Sequence, residues 1–191
     1  MKNLFTPKAI DVDRVLLVNY PKILDVKSLK QESGVSKPQI SAVTHELIRR
    51  SLAAHGEGRY RIKLTAPTLL LEEWATVSDF TATTKFIDYY SPEQDISRFL
   101  DGLKHIKSVD YAVTGLTGAF FVAPFVRPTN VHIYVKTEED AKKIANLLEL
   151  VPVEASGNVK FAVAENSDVF YGAEKRNGLC VVSLPQLYVD L

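Results

Sequence analysis

The chain predicts an α+β protein, a basic, mostly helical first third followed by a mixed α/β sheet domain. Three observations carry this. Residues 25–40 read as a helix, a tight turn and a second helix. Residues 52–64 read as a hairpin whose second strand alternates cations with apolar residues. Beyond Ala66, helical apolar periods interleave with short apolar strands, the pattern of a sheet covered by helices.

The first helix is expected over Asp11–Tyr20, with apolar residues at helical spacing and Pro21 ending it. The second is expected over 26–33 and stops at Gly34, the residue best suited to a left-handed helix end. Ser36 is placed to cap the third by accepting a backbone N–H, and Pro38 falls in its first turn, where no N–H partner is needed. That helix runs from Lys37 to about Arg50, with Ile40, Val43 and Leu47 at i, i+3 and i+7 on one face. At 100° per residue from Ile40, Thr44 falls at about 40°, on the apolar side, while Pro38, Ala42, His45 and Arg49 fall at roughly 140–200° on the outer face. The outward surface is therefore Ser36, Lys37, Gln39, Ser41, His45 and Arg49. Gln can pair bidentately with adenine, and Ser can bond several bases or a phosphate.

A hairpin follows. Leu52-Ala53-Ala54 and Arg59–Leu64 flank the glycine-rich tip His55-Gly56-Glu57-Gly58. Period two puts Arg59, Arg61 and Lys63 on one face and Tyr60, Ile62 and Leu64 on the other, and the cationic face is suited to phosphate. Helix, helix, capped helix and basic hairpin in this order resemble the winged helix-turn-helix of bacterial transcriptional regulators. The partner this implies is double-stranded DNA.

Charge agrees. The 191 residues are 46% hydrophobic and 24% charged, with a net charge of zero. Yet residues 1–66 hold 12 Lys/Arg against 6 Asp/Glu, and residues 67–191 hold 11 against 17. Only the first third can displace the counterions condensed on a phosphate backbone. The lone Cys180 excludes an intrachain disulfide and a multi-cysteine zinc site, and suits a reducing cytoplasm. No apolar signal core opens the chain, and no apolar run approaches membrane-spanning length, so a cytoplasmic protein without membrane contact is expected.

The seam is expected after Ala66, giving domains of 1–66 and 67–191. The second begins with a connecting helix, Thr68–Ala75, then a strand, Thr84–Tyr90. A helix over Pro92–Lys107 follows, capped by Ser91 with Gln94 three residues on. Next come a helix or turn around 112–123, a strand 131–136, a helix 138–149 and strands near 159–164 and 179–183. Ser183-Leu184-Pro185 reads as a strand exit.

The stretch Tyr111–Phe121, then Arg127–Val135, resembles the start of nucleotidyltransferase-like domains, in which a small-residue helix precedes a strand bearing two carboxylates that hold magnesium. Here that strand reads Asn130-Val131-His132-Ile133, without an acid. The expectation is a degenerate, catalytically silent version of that fold. Gly115-Leu116-Thr117-Gly118 lacks the lysine of a phosphate loop and reads as a close-packing device. His45, His55, His105 and His132 show no ligand spacing, and no nucleophile–base pair stands out. No cofactor, metal or catalytic residue is expected.

Across the whole chain, the winged helix, the Thr114–Ala119 stretch leading to Val131–Val135, and the ending Val181–Leu191 resemble the AbiEi-type antitoxins of type IV toxin–antitoxin systems. The resemblance implies a DNA-binding repressor of its own operon and a second domain that opposes a nucleotidyltransferase-like toxin. A homodimer on a palindromic site is a further expected partner. Two other readings stay open: an antitoxin module that binds protein and not DNA, and a divergent nucleotidyltransferase.

Overall fold

The computed structural model describes residues 4–191 except Arg59, Gln94, Val126, Glu165 and Asn166. It is an α+β protein of two compact units, which part between Asp79 and Phe80.

The first unit opens with α1 (Pro7–Val18), four residues earlier than Asp11. Thr6 is extended and Pro7 takes the first helical turn, the position where a missing N–H costs nothing. Then come β1 (Leu24–Asp25), α2 (Val26–Ser33) and α3 (Lys37–Arg49), the last two joined across Gly34 at φ 68°. Asp25 caps α2 by accepting the Ser28 N–H at 2.7 Å, which lowers its pKa. Ser36 stands at the N-cap of α3 but makes no cap bond; its hydroxyl donates to the Gln39 side chain instead. β2 (Ala53–His55) and β3 (Arg61–Leu64) form the hairpin, with Ala53 opposite Leu64 and His55 opposite Ile62. β3 is the middle strand, because β1 pairs its other edge, Leu24 opposite Ile62. Ile62 and Leu64 face the core while Arg61 and Lys63 face out. The alternation stops there. Tyr60, expected inside, lies before the strand at φ 61° and is 69% exposed.

α4 (Pro67–Val77) ends the unit and buries Leu70 and Trp74. Burying two such side chains is worth about 1.5–3 kcal/mol each. The Arg14 guanidinium lies 5.4 Å from the Trp74 ring centroid, and Arg50 bonds Glu73 at 3.2 Å. The segment from Pro67 to Asp79, assigned to the second domain by sequence, therefore belongs to the first unit. It adds three acids and no Lys or Arg, so the first unit carries 12 Lys/Arg against 9 Asp/Glu.

Asp13 of α1 is fully buried, and neither carboxyl oxygen has a hydrogen-bond partner among the described residues. Burial pushes its pKa well up, opposed by the charges of Arg14 and Arg50.

The second unit opens with the single turn α5 (Phe80–Thr83) and is built on a seven-stranded mixed sheet. Its strands are β4 (Lys85–Tyr90), β5 (Tyr111–Thr114), β6 (Val131–Val135), β7 (Val151–Pro152), β8 (Val159–Val163), β9 (Glu174–Arg176) and β10 (Leu179–Val181). The spatial order is β7-β4-β8-β6-β5-β10-β9; β6 runs parallel to β8 and β10 parallel to β5, and the other pairs are antiparallel. Alternation divides the core. Tyr111, Val113, Ile133, Val135 and Phe161 face a large cluster with Leu103 of α6 (Ile96–Lys104) and Ile144 of α8 (Glu138–Leu147). Ala112, Tyr134 and Ala162 face a smaller cluster with Leu187 of α9 (Leu184–Val189) and Ala119 of α7 (Gly115–Val122).

Four expectations change here. Residues 111–114 form a fully buried strand before the helix. The helix expected from Pro92 starts at Ile96, capped by Asp95, whose carboxylate accepts the Ser97 N–H at 2.9 Å. Ser91 is buried and held by Asn158, which accepts its N–H at 2.7 Å and donates to its carbonyl at 3.2 Å; Gln94 lies outside the described residues. Ser183 does not exit into a loop: it caps α9, with Pro185 in the first turn.

Candidate nucleic-acid interface

The outward face of α3 follows from its inward one. Ile40 and Leu47 are fully buried, and Thr44 is buried with its hydroxyl donating to the Ile40 carbonyl at 2.9 Å, so it belongs to the core as its wheel position requires. Lys37, Ser41, His45 and Arg49, spaced by four, are left as one exposed stripe. Ser36 is exposed at the head of the helix. Gln39 lies half-buried beside a small hollow of about 240 Å³ lined by Leu4, Ala9 and Val43. The Ser36 hydroxyl donates to the Gln39 amide oxygen at 2.8 Å, which leaves the amide N–H donors for other partners.

Arg49 is exposed but engaged. Its Nε and Nη2 donate to the two oxygens of Glu46 at 2.9 and 2.6 Å, and Arg50 Nε adds a bond at 3.1 Å. These bonds, Arg49's first, hold the Glu46 pKa down at about 2. Arg49 is raised in turn. The wheel analysis missed Glu46 because it sorted faces and not charges; the signal was the i, i+3 and i, i+4 spacing of Glu46-Arg49-Arg50. Cationic character on this face therefore rests on Lys37. On β3, Arg61 and Lys63 project from the same face, and neither makes an ion pair within 4.0 Å among the described residues. Arg59 lies outside the described residues. The structure thus brings Lys37, Ser41, His45 and Arg49 together on one element, and Arg61 and Lys63 on another.

In the second unit, β6 carries His132 and no carboxylate. One register row crosses four strands: Asp88 opposite Lys160, Lys160 opposite His132, His132 opposite Thr114. Lys160 reaches Asp88 at 3.5 Å, and the Thr114 hydroxyl donates to Asp190 at 2.5 Å, where Tyr134 and Gln186 also donate. His132 stands between Phe80 and Phe86 with Nδ1 buried and unbonded among the described residues; burial, then Lys160, lowers its pKa. Gly115, at φ 59°, comes so close that a Cβ there would lie 3.2 Å from this nitrogen. A Cβ on Gly118 would lie 2.8 Å from Leu187 and 3.2 Å from the Val113 carbonyl, so this glycine serves close helix packing. Among the described residues no cluster of three metal-ligating side chains occurs, and no helix is long and apolar enough to cross a membrane.

Comparison with known proteins adds one match. A family model described as transcriptional regulator, AbiEi antitoxin, type IV toxin–antitoxin system covers residues 63–191. No curated protein and no solved structure matches the chain.

Proposed function

The chain belongs to the AbiEi family of type IV antitoxins and transcriptional regulators, and we propose, from the geometry of its first unit, that this unit is a winged helix-turn-helix that binds duplex DNA and represses its own operon. One observation carries the reading: the exposed stripe of α3 and the outward-facing cations Arg61 and Lys63 of β3, which make no ion pair within 4.0 Å among the described residues, occur in one small unit. In this reading α3 enters the major groove. Lys37, Ser41 and His45 meet bases or phosphates, and Ser36 orients the Gln39 amide toward a base edge. Arg61 and Lys63 grip the backbone, and Arg49 joins only by leaving Glu46. Two copies on two half-sites would match a palindromic operator.

The test is fluorescence anisotropy of a labelled duplex from upstream of the protein's own coding region, at several salt concentrations. The log–log slope should be about −0.9 per phosphate contact, and replacing Arg61 and Lys63 together by Ala should flatten it by about 2. Folded protein that binds no duplex at low salt sinks the reading.

The family match favours an antitoxin role for the second unit. We assign to it the opposition of a nucleotidyltransferase-like toxin. Its β5–α7–β6 segment, a small-residue helix leading to a buried strand, is read as a degenerate form of the same fold. Co-expression with an adjacent toxin of that class should restore growth. The Arg61→Ala, Lys63→Ala protein should restore it equally while losing repression.

A further inference from the structure

Away from the proposed DNA-binding unit, the second unit holds a cleft of about 580 Å³ between α6, α7, the loop before β6 and the β9–β10 turn. This is within the usual range for a small-molecule site. Ile96, Leu100, Phe120 and Phe121 give it apolar walls, and the two phenylalanine rings stand edge to face at 5.8 Å. Its charges are unequally committed. Lys104 is bound to Asp101 at 2.7 Å, and Asp95 accepts the Ser97 N–H as the cap of α6. Arg127 forms no ion pair or side-chain hydrogen bond among the described residues.

We propose that this cleft binds a small aromatic carboxylate, its ring against Phe120 and Phe121 and its carboxylate held by the Arg127 fork. The charge balance selects the anion. With Lys104 committed to Asp101, Arg127, without an ion pair among the described residues, is left to meet one carboxylate bidentately, whereas a phosphate dianion would add a second negative charge beside Asp95. The aromatic pair selects a planar ring over a saturated one. The site goes beyond the DNA reading and does not depend on it, since binding is measured on the protein alone.

The experiment is an amide NMR titration of the full chain with naphthoate, naphthyl phosphate and cyclohexanecarboxylate. Naphthoate should give saturable shifts confined to 95–104, 118–130 and 175–179. The other two should bind at least about tenfold more weakly. Arg127→Gln should weaken naphthoate by about tenfold or more, and Arg127→Lys, which keeps the charge without the fork, by an intermediate factor. Arg127 is exposed, so both variants should keep the wild-type spectrum elsewhere. Absence of saturation by about 10 mM overturns the proposal. So does binding indifferent to Arg127→Gln, or a preference for the phosphate.

Discussion

Glu46 sets how much positive charge α3 presents. It is buried at the foot of the exposed stripe and holds both arginines that end the helix. Its pKa is depressed from the ordinary 4.5 to about 2, so the stability it confers is present above about 4.5 and is lost as pH falls toward 2. Glu46→Gln should therefore flatten the dependence of the unfolding midpoint on pH between about 4.5 and 2, read by circular dichroism. It should also release Arg49 and steepen the salt dependence of DNA binding. Asp13 has the opposite sign. Its folded pKa is raised, so the wild type is most favoured below the ordinary 3.8 and loses stability as pH climbs from there to the folded value. Asp13→Asn should raise stability at neutral pH by about 1–3 kcal/mol, a gain that vanishes below pH 4. A denaturant titration at the two pH values decides it. Thr44 was placed in the core by angle alone, which succeeds because a helix wheel needs only the residue number. Glu46 required charges to be counted across turns.

Elements were legible in extent more than in their caps. Gly34 was read as a helix end and lies at φ 68°, whereas Asp25 and Thr137, which cap by accepting N–H groups at 2.7 and 3.1 Å, were not singled out, and Ser36, which was, makes no cap bond. The run Tyr111-Ala112-Val113-Thr114 was not legible as a strand. Three apolar residues and a threonine leading straight into a glycine have no period to measure, and only pairing with β6 and β10 decides them. The hinge that follows is testable. Gly115→Ala must hold a side chain at φ 59° against His132, and should cost about 1–3 kcal/mol in thermal unfolding of the second unit. The N-cap of α6 was misplaced because Ser91-Pro92 looks like a helix start. Asn158, 67 residues away, takes the Ser91 backbone groups that a helix would have used.

At the scale of the molecule, the α+β class was readable, and the break between the compact units after Asp79 was not. Ala66-Pro67 looks like a linker because the period resets there. What keeps α4 with the first unit is the burial of Leu70 and Trp74, which no local pattern reveals. A fragment ending at Asp79 should give a cooperative unfolding transition and bind DNA. One ending at Ala66 forfeits those two side chains, worth about 3–6 kcal/mol together, and should be largely unfolded by circular dichroism. The match over residues 63–191 begins within β3 and leaves α1, α2 and α3 to be argued from geometry.

The acids that α4 and its flank bring to the first unit would also shape how a cell uses the protein. Glu72, Glu73 and Asp79 halve the net charge of that unit from the +6 of residues 1–66 to +3. Random chromosomal DNA attracts a protein through such charge alone, whereas an operator adds base contacts. A regulator with little excess charge is diluted less by the genome's millions of competing sites. Less of the protein would then be held at random sites, and more would be free to find one promoter.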